Sequence, residues 1–288
     1  MRPFVYLSPS SLDECLKVLG ELKDKAKIIA GGTDLVVNMR AETVNPEYVV
    51  DIERLRELRF IRIDDGNLRI GAATKIAQIE GSELVRQKAF ALYQAASQVG
   101  AVQTRNLGTI AGNLASAVPS ADMAPPLIAM DAELVVMSSG GQRSLKVEDL
   151  FAGPKATVLK PDEVITEVVI PGTSLNDRTW FLKLGRRKAL TLAIVNVAVR
   201  LRMAEAVVRE ARVALGAVAP VPMRSRSAEE WLVGRPANAE NFRIAAEKAA
   251  ADSKPITDFR AGAEYRRKMV KVLTKRALSA CVGEGEMA

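Results

Sequence analysis

Hydrophobic and polar positions change period several times along this chain, and each change marks an element. Extended character over residues 4–7 gives way to Leu12, Cys15 or Leu16, Leu19 and Leu22 at helical spacing, opened by the capping-box pattern Ser11-Leu12-Asp13-Glu14. An extended run returns at residues 27–30 and breaks on Gly31-Gly32. A short helix is expected from Thr33, whose hydroxyl can serve its free N–H groups. Residues 48–52 read as another strand, and residues 60–72 as a hairpin turning at Asp64-Asp65-Gly66-Asn67. Helices are expected over residues 75–80 and 83–99, a second hairpin over 133–147 about Ser139-Gly140-Gly141-Gln142, and a strand over 163–170 that stops at Pro171-Gly172.

After that proline the character changes. Residues 180–184, 190–203 and 207–218 are β-type segments, and helices are expected over 227–233, 238–251 and 264–282. Strands followed by helices indicate a compact α+β unit. A domain boundary is expected near residues 171–176, and no internal repeat interrupts the pattern.

Between the hairpins lies a stretch of different texture, residues 104–131, TRNLGTIAGNLASAVPSADMAPPLIAMD. It is mostly small and apolar, runs far longer than a tight turn needs, and carries Gly108, Gly112, Asn113, Ser116, Ser120 and Asp122. Small residues let backbone N–H groups approach a ligand, and the hydroxyls and amide add donors. A flat, partly apolar ligand carrying phosphates accounts for both properties, with a sugar hydroxyl as partner for Asp122. Read without a ligand, the same stretch is an irregular loop, and Asp122 caps a helix that begins near Met123. Gly108-Thr109-Ile110-Ala111-Gly112 lacks the GxGxxG spacing of a dinucleotide fold, and no GxxxxGK[ST] phosphate loop is present.

Composition narrows the chemistry. The chain has 288 residues, 48% of them hydrophobic and 26% charged, as expected for a globular protein of two domains. No apolar run is long enough to span a bilayer, and MRPFVYLSPSS carries no signal-peptide pattern, so a soluble, cytoplasmic protein is expected. There is no histidine, which excludes His-based nucleophile pairs, acid–base catalysis and His-ligated metals. Two cysteines, Cys15 and Cys281, cannot hold an iron–sulfur cluster, and no metal site is expected. Redox chemistry here would therefore belong to a bound cofactor. The net charge of +7 reads as a solvated basic surface or docking face rather than a nucleic-acid site, because Arg260, Arg266, Arg267, Lys268, Lys271, Lys275 and Arg276 spread around a helix without interleaved aromatics.

Three segments together are specific. IIAGGTDLVV (28–37), TRNLGTIAGNLASAVPSAD (104–122) and FLKLGRRKALTLAIVNVAVRL (181–201) resemble, in this order, the FAD-binding medium subunit of molybdenum hydroxylases of the carbon monoxide dehydrogenase and xanthine dehydrogenase type. The resemblance extends over essentially the whole chain. It implies an α+β protein with a two-subdomain FAD-binding domain of the PCMH, or vanillyl-alcohol-oxidase-like, type over residues 1–174 (subdomains about 1–56 and 57–174). A C-terminal α+β domain with an antiparallel sheet and helices would follow over 175–288.

By the same resemblance Lys27, Ile28, Ile29, Ala30, Gly31, Gly32, Thr33 and Asp34 form the first flavin loop, whose N–H groups hold the diphosphate. Gly108, Thr109, Gly112 and Asn113 form the second. Asp122 matches an acidic ligand to the adenosine portion, Ile165 an apolar residue on the adenine end, and Lys183 a lysine near the flavin. Two positions depart from the family pattern: Ala111 stands where a second glycine is common, and Thr33 where carbon monoxide dehydrogenases tend to carry histidine. The implied function is electron transfer through non-covalent FAD, from iron–sulfur clusters to an external acceptor. The implied partners are a small iron–sulfur subunit and a large molybdopterin subunit, in a dimer of heterotrimers. The C-terminal region, with Lys183 and the basic last helix, is the expected docking face. The competing readings are a stand-alone flavin oxidoreductase and an interaction module that has lost its flavin.

Overall fold

The computed structural model describes residues 1–187 and 189–283, so the last five residues of the expected 175–288 domain lie outside it. The chain opens with β1 (Val5–Leu7), α1 (Leu12–Leu22), β2 (Ala26–Ile29), α2 (Leu35–Arg40) and β3 (Tyr48–Asp51). The three strands form a parallel sheet in the order β1-β3-β2, the arrangement that helical crossovers allow. Ser11 caps α1 by accepting the Glu14 amide at 3.2 Å, while the Glu14 carboxylate reaches back to Ser10 rather than to the capping residue. Cys15, Leu16 and Leu19 then bury one helix face against Ala26, Val50 and Ile52. Thr33 does not cap α2: the residue at that position is Asp34, and its side chain makes no cap hydrogen bond.

A second sheet, antiparallel throughout, has the order β4-β5-β10-β6-β7. β4 (Ile61–Asp64) and β5 (Asn67–Gly71) turn on Asp65 and Gly66, both at positive φ, which suits the twist of a two-residue hairpin. The helical stretch after them divides into α3 (Ile76–Glu80), α4 (Glu83–Lys88) and α5 (Phe90–Gln98). The single helix expected over 83–99 breaks at Ala89, and the break frees the Ala91 amide to donate to Thr179 Oγ1 at 3.1 Å. The stretch over 104–131, an irregular loop only if read without a ligand, carries α6 (Val102–Leu107), α7 (Ile110–Ala115) and α8 (Ala124–Ala129), the last close to the helix start expected near Met123. Thr109 caps α7, and Pro125-Pro126 occupy the first turn of α8, where their missing N–H groups cost nothing. β6 (Glu133–Ser138), β7 (Gly141–Lys146), the small pair β8 (Phe151–Gly153) and β9 (Ala156–Thr157), and β10 (Val164–Ile170) complete this part.

The C-terminal part is a four-stranded antiparallel sheet of β11 (Arg178–Leu184), β12 (Val195–Ala204), β13 (Val207–Gly216) and β14 (Met223–Arg224), followed by α9 (Arg226–Leu232), α10 (Ala239–Asp252) and α11 (Ala263–Val282). Alternation along β12 sorts its two faces. Val195, Val197, Val199 and Leu201 join the core under the three helices. Asn196, Ala198 and Arg200 face the rest of the molecule. Their cross-strand partners there are Gly216, Ala214 and Arg212. The strand expected from residue 190 begins only at Val195. Two of the basic residues near the C-terminus are not free solvated cations. Arg266 is 1% exposed and donates to the Ile194 and Ala217 carbonyls and to Asp258, and Arg260 pairs with the same aspartate.

Candidate functional site

The break in IIAGGTDLVV has a structural cause on each glycine. A Cβ on Gly31 would lie 2.0 Å from the Leu107 carbonyl oxygen and 2.9 Å from Gly108 Cα. Here the chain must pass close to its own backbone, not only to a ligand. That carbonyl is itself fixed by Lys75 Nζ at 2.9 Å, and Lys75 also pairs with Glu53 at 2.8 Å. Gly32 serves a different end: its φ of +66° is left-handed, a conformation that costs a side-chain-bearing residue about 1–2 kcal/mol. Because the turn neither continues β2 nor starts α2, its donors are left over. Among the described residues, no acceptor is assigned to the amides of Gly31, Gly32, Thr33 and Asp34. Four free N–H groups beside a left-handed glycine suit an anion.

The second glycine segment contributes differently. Most amides at the start of α7 are already used: Ile110 donates to Thr74, Ala111 to Ala72, and Gly112 to Thr109 Oγ1. Ala111, the departure from the family pattern, is buried with its N–H satisfied by Ala72, the residue after β5. What this segment offers a ligand is mainly side chains and shape. Asn113 Oδ1 accepts the Met123 amide at 3.3 Å, which turns its Nδ2 group away from that contact. Ser116 donates to Asp34 at 2.7 Å, tying the second segment to the end of the first. Gly108 stands between Thr104 and Thr33, with Thr33 Oγ1 3.7 Å from where a Cβ would be.

The third part brings Asp122 and Lys183 together across the two halves of the chain. Lys183 Nζ lies 2.6 Å from Asp122 Oδ2 and 2.8 Å from the Gln98 carbonyl. Asn196 Nδ2 donates to Asp122 Oδ1 at 2.9 Å. Burial pushes the Asp122 carboxyl up, and the Lys183 ammonium and the Asn196 amide oppose that rise. Asp122 is not the cap of α8, since Met123 occupies that position and no side-chain cap bond is made. With its side chain 2% exposed, Lys183 is a buried counter-ion rather than part of an outer docking face.

Residues 31–34, 107–116, 122–123, 183 and 196 thus form one connected group, held by the Gly31–Leu107, Asp34–Ser116, Asn113–Met123 and Asp122–Lys183 contacts. Lys27, Ile28 and Ile29 precede the turn on β2, with Ala30 leading into it. Ile165, on β10, lies in the main core with Ile110 and Leu114 of α7. Lys75, Gln98, Leu107 and Asn196 belong to the group but were not singled out from the sequence. Asn196 did carry a signal, a polar residue inside the apolar run IVNVAV, because such a residue needs a buried partner. The two cysteines take no part, being 0% and 6% exposed. Burial raises their thiols to about 11 for Cys15 and about 12 for Cys281. Among the described residues no His, Cys, Asp and Glu cluster could hold a metal, and no helix is long and apolar enough to cross a membrane.

The donor set fits a dinucleotide cofactor with a diphosphate, and comparison with known proteins agrees. A family model described as the FAD binding domain in molybdopterin dehydrogenase matches residues 2–173. A second, described as the CO dehydrogenase flavoprotein C-terminal domain, matches residues 180–281. The chain is 36% identical over 247 residues to the nicotinate dehydrogenase FAD-subunit of Eubacterium barkeri, covering 84% of this chain and 83% of the relative. It is 33% identical to the carbon monoxide dehydrogenase medium chain of Hydrogenophaga pseudoflava, with 96% of each covered. The solved carbon monoxide dehydrogenase from Hydrogenophaga pseudoflava lacking the Mo-pyranopterin moiety superposes with a TM-score of 0.94, at 33% identity, covering 99% of this chain and 100% of that one. The protein belongs to the FAD-binding flavoprotein family of the molybdopterin dehydrogenases, with the C-terminal domain of the CO dehydrogenase flavoproteins.

Proposed function

We propose that this chain is the electron-transfer subunit of a molybdenum hydroxylase complex, receiving electrons from a small iron–sulfur subunit and delivering them to an external acceptor. The observation that carries the reading is the 31–34 turn, whose four amides have no acceptor among the described residues and lie beside the side chains of the second segment. In this reading the amides of Gly31 to Asp34 hold the FAD diphosphate, with the Thr33 hydroxyl and Asn113 Nδ2 as further donors. Gly108 and Gly112 set the shape of the second wall, their amides being bonded to the Thr104 carbonyl and Thr109 Oγ1, while the Thr109 amide, with no acceptor among the described residues, is a further donor. Asp122 retains lone pairs for a sugar hydroxyl after accepting from Lys183 and Asn196, because a carboxylate has about four acceptor sites. Lys183 acts on the ligand through Asp122 and places positive charge beneath the site. Ile165 packs the layer behind α7, and residues 27–30 carry the strand that presents the turn. FAD, when bound, supplies the redox chemistry, and this chain's task is to hold and orient it.

A histidyl link is impossible because histidine is absent, and neither thiol suits covalent attachment, both being buried with raised pKa values. The division into an FAD-binding domain over 1–174 and a C-terminal domain over 175–288, a cytoplasmic location, and assembly with an iron–sulfur and a large molybdopterin subunit as a dimer of heterotrimers are parts of the same proposal. The relatives called medium chain or FAD-subunit support the partner assignment.

The test is direct. Purified chain should be yellow, and acid precipitation should move all flavin to the supernatant. Co-expression with the two partner subunits followed by gel filtration should give one large complex. A colourless protein after reconstitution with FAD refutes the site. A monomer that is reduced by a small organic substrate and turns over unaided makes the chain a stand-alone flavoenzyme instead.

A further inference from the structure

Helix α8 is held at both ends by the C-terminal sheet. At its start, Asp122 takes bonds from Asn196 and Lys183. At its end, Asp131 takes bonds from Arg200 Nη2 at 2.7 Å and Arg212 Nε at 3.0 Å, with Arg224 at 3.6 Å. Asn196 and Arg200 are four residues apart on one face of β12, about 13 Å at 3.3 Å per residue. Asp122 and Asp131 flank the six residues of α8, the first two positions before its start and the second two positions after its end. Between the two polar rows, Ala198 and Ala214 leave the sheet shallow, and Leu127 and Ile128 of α8 fill the same core.

Asp131 is a poor choice for its local position. It sits just past the last turn of α8 at φ +52°, its amide bonded to Ile128 O and the next amide to Leu127 O. Glycine or asparagine suits this helix-terminating geometry, and a negative charge is unfavourable at a helix C-terminus. The charge breaks a local rule, and a residue of that kind needs side-chain partners elsewhere to offset the cost. That side chain meets three arginines, two of them deeply buried: the Arg200 and Arg224 side chains are 2% and 9% exposed.

We infer that Asp131 is a positioning residue for the cofactor loops: gripped by Arg200 and Arg212, it fixes α8 along its axis and thereby sets Asp122 and, through the Met123 amide, Asn113. The inference rests on the FAD reading of those two residues.

The experiment compares FAD affinity of the full-length chain in wild type, Asp131→Asn and Asp131→Gly. Both substitutions ease the left-handed turn, so a role confined to ending the helix leaves the Kd unchanged. The clamp raises it about tenfold in both, a coupling ordinary for residues sharing one network. In an Asp122→Asn background, adding Asp131→Asn should weaken FAD no further. An unchanged Kd in both variants, or full additivity with Asp122→Asn, overturns the inference. If Asp131→Gly fails to fold, Arg212→Gln takes its place, since that side chain is 22% exposed and grips the same carboxylate. If the wild type itself binds no FAD, the functional reading fails, and the clamp is read by hydrogen exchange. Asp131→Asn should then speed exchange of the Met123 amide at the opposite end of α8, and unchanged exchange there overturns the clamp.

Discussion

Alanine at Gly31 should damage cofactor binding more than alanine at Gly32, although only Gly32 has a backbone conformation that favours glycine. At Gly32 the added Cβ meets Val36 Cγ2 at 3.2 Å and Ile29 Cδ1 at 3.3 Å, both ends of side chains that can rotate away. The remaining cost is that of a left-handed alanine, about 1–2 kcal/mol. At Gly31 the Cβ would lie 2.0 Å from the Leu107 carbonyl oxygen, and ordinary contact begins at 3.4 Å. A backbone displacement of well over 1 Å is required, against a carbonyl that Lys75 holds at 2.9 Å. Overpacking of that kind reaches about 3 kcal/mol. The two glycine segments relieve it by moving apart, which spreads the donors of the 31–34 turn from Asn113 and Thr33 from Gly108. About 3 kcal/mol corresponds to a Kd weakened by roughly 100-fold, against roughly 5- to 30-fold for Gly32→Ala. Fluorescence titration of the apoprotein with FAD, alongside urea melts to correct for lost stability, measures both. Wild-type affinity in Gly31→Ala, or a larger loss in Gly32→Ala, would refute the argument that loop contact rather than backbone freedom dominates.

Asp122→Ala should destabilise the fold by about 3–5 kcal/mol, because it leaves the Lys183 ammonium buried without its counter-ion. The double variant Asp122→Ala/Lys183→Met should recover part of that stability in urea but none of the FAD affinity, and equal recovery of both would show that Asp122 acts only as a partner for Lys183. Asp258 should contribute an acid-sensitive increment of stability. Its hydrogen bonds from Arg260 hold its carboxyl below the ordinary carboxylate value, so the increment is present above the unfolded pKa and lost as pH falls below about 4. The stability gap between wild type and Asp258→Asn should therefore narrow as pH falls, and a gap independent of pH over that range contradicts the assignment.

Local pattern carried much of this fold into view, because most elements announce themselves within a few residues. The Ser11 cap, the Asp65-Gly66 hairpin and the alternation of Val195, Val197 and Val199 each rest on neighbours close in the chain. The chain departs from local preference where a distant contact overrides it. The helix expected over 83–99 breaks at Ala89 where the Ala91 amide meets Thr179, 88 positions further along. Arg266 and Arg260 look like solvated cations until Asp258 and the carbonyls of Ile194, Ala217 and Ala193 are placed around them. The candidate site follows the same division. Its glycines and its aspartate were legible as residues out of keeping with their surroundings, but their partners were not. Nothing local connects Gly31 to Leu107, Asn196 to Asp122, or Asp131 to Arg200. These pairs stand far apart in sequence, and two of them join the two halves of the chain. The residues most at odds with their local setting, Gly31 in an apolar run, Asn196 in a buried strand and Asp131 past a helix end, are the ones that hold the site's segments together. A side chain or backbone position that breaks a local rule needs a long-range partner to offset its cost, so such positions are where a sequence alone points to tertiary contact without naming the other side.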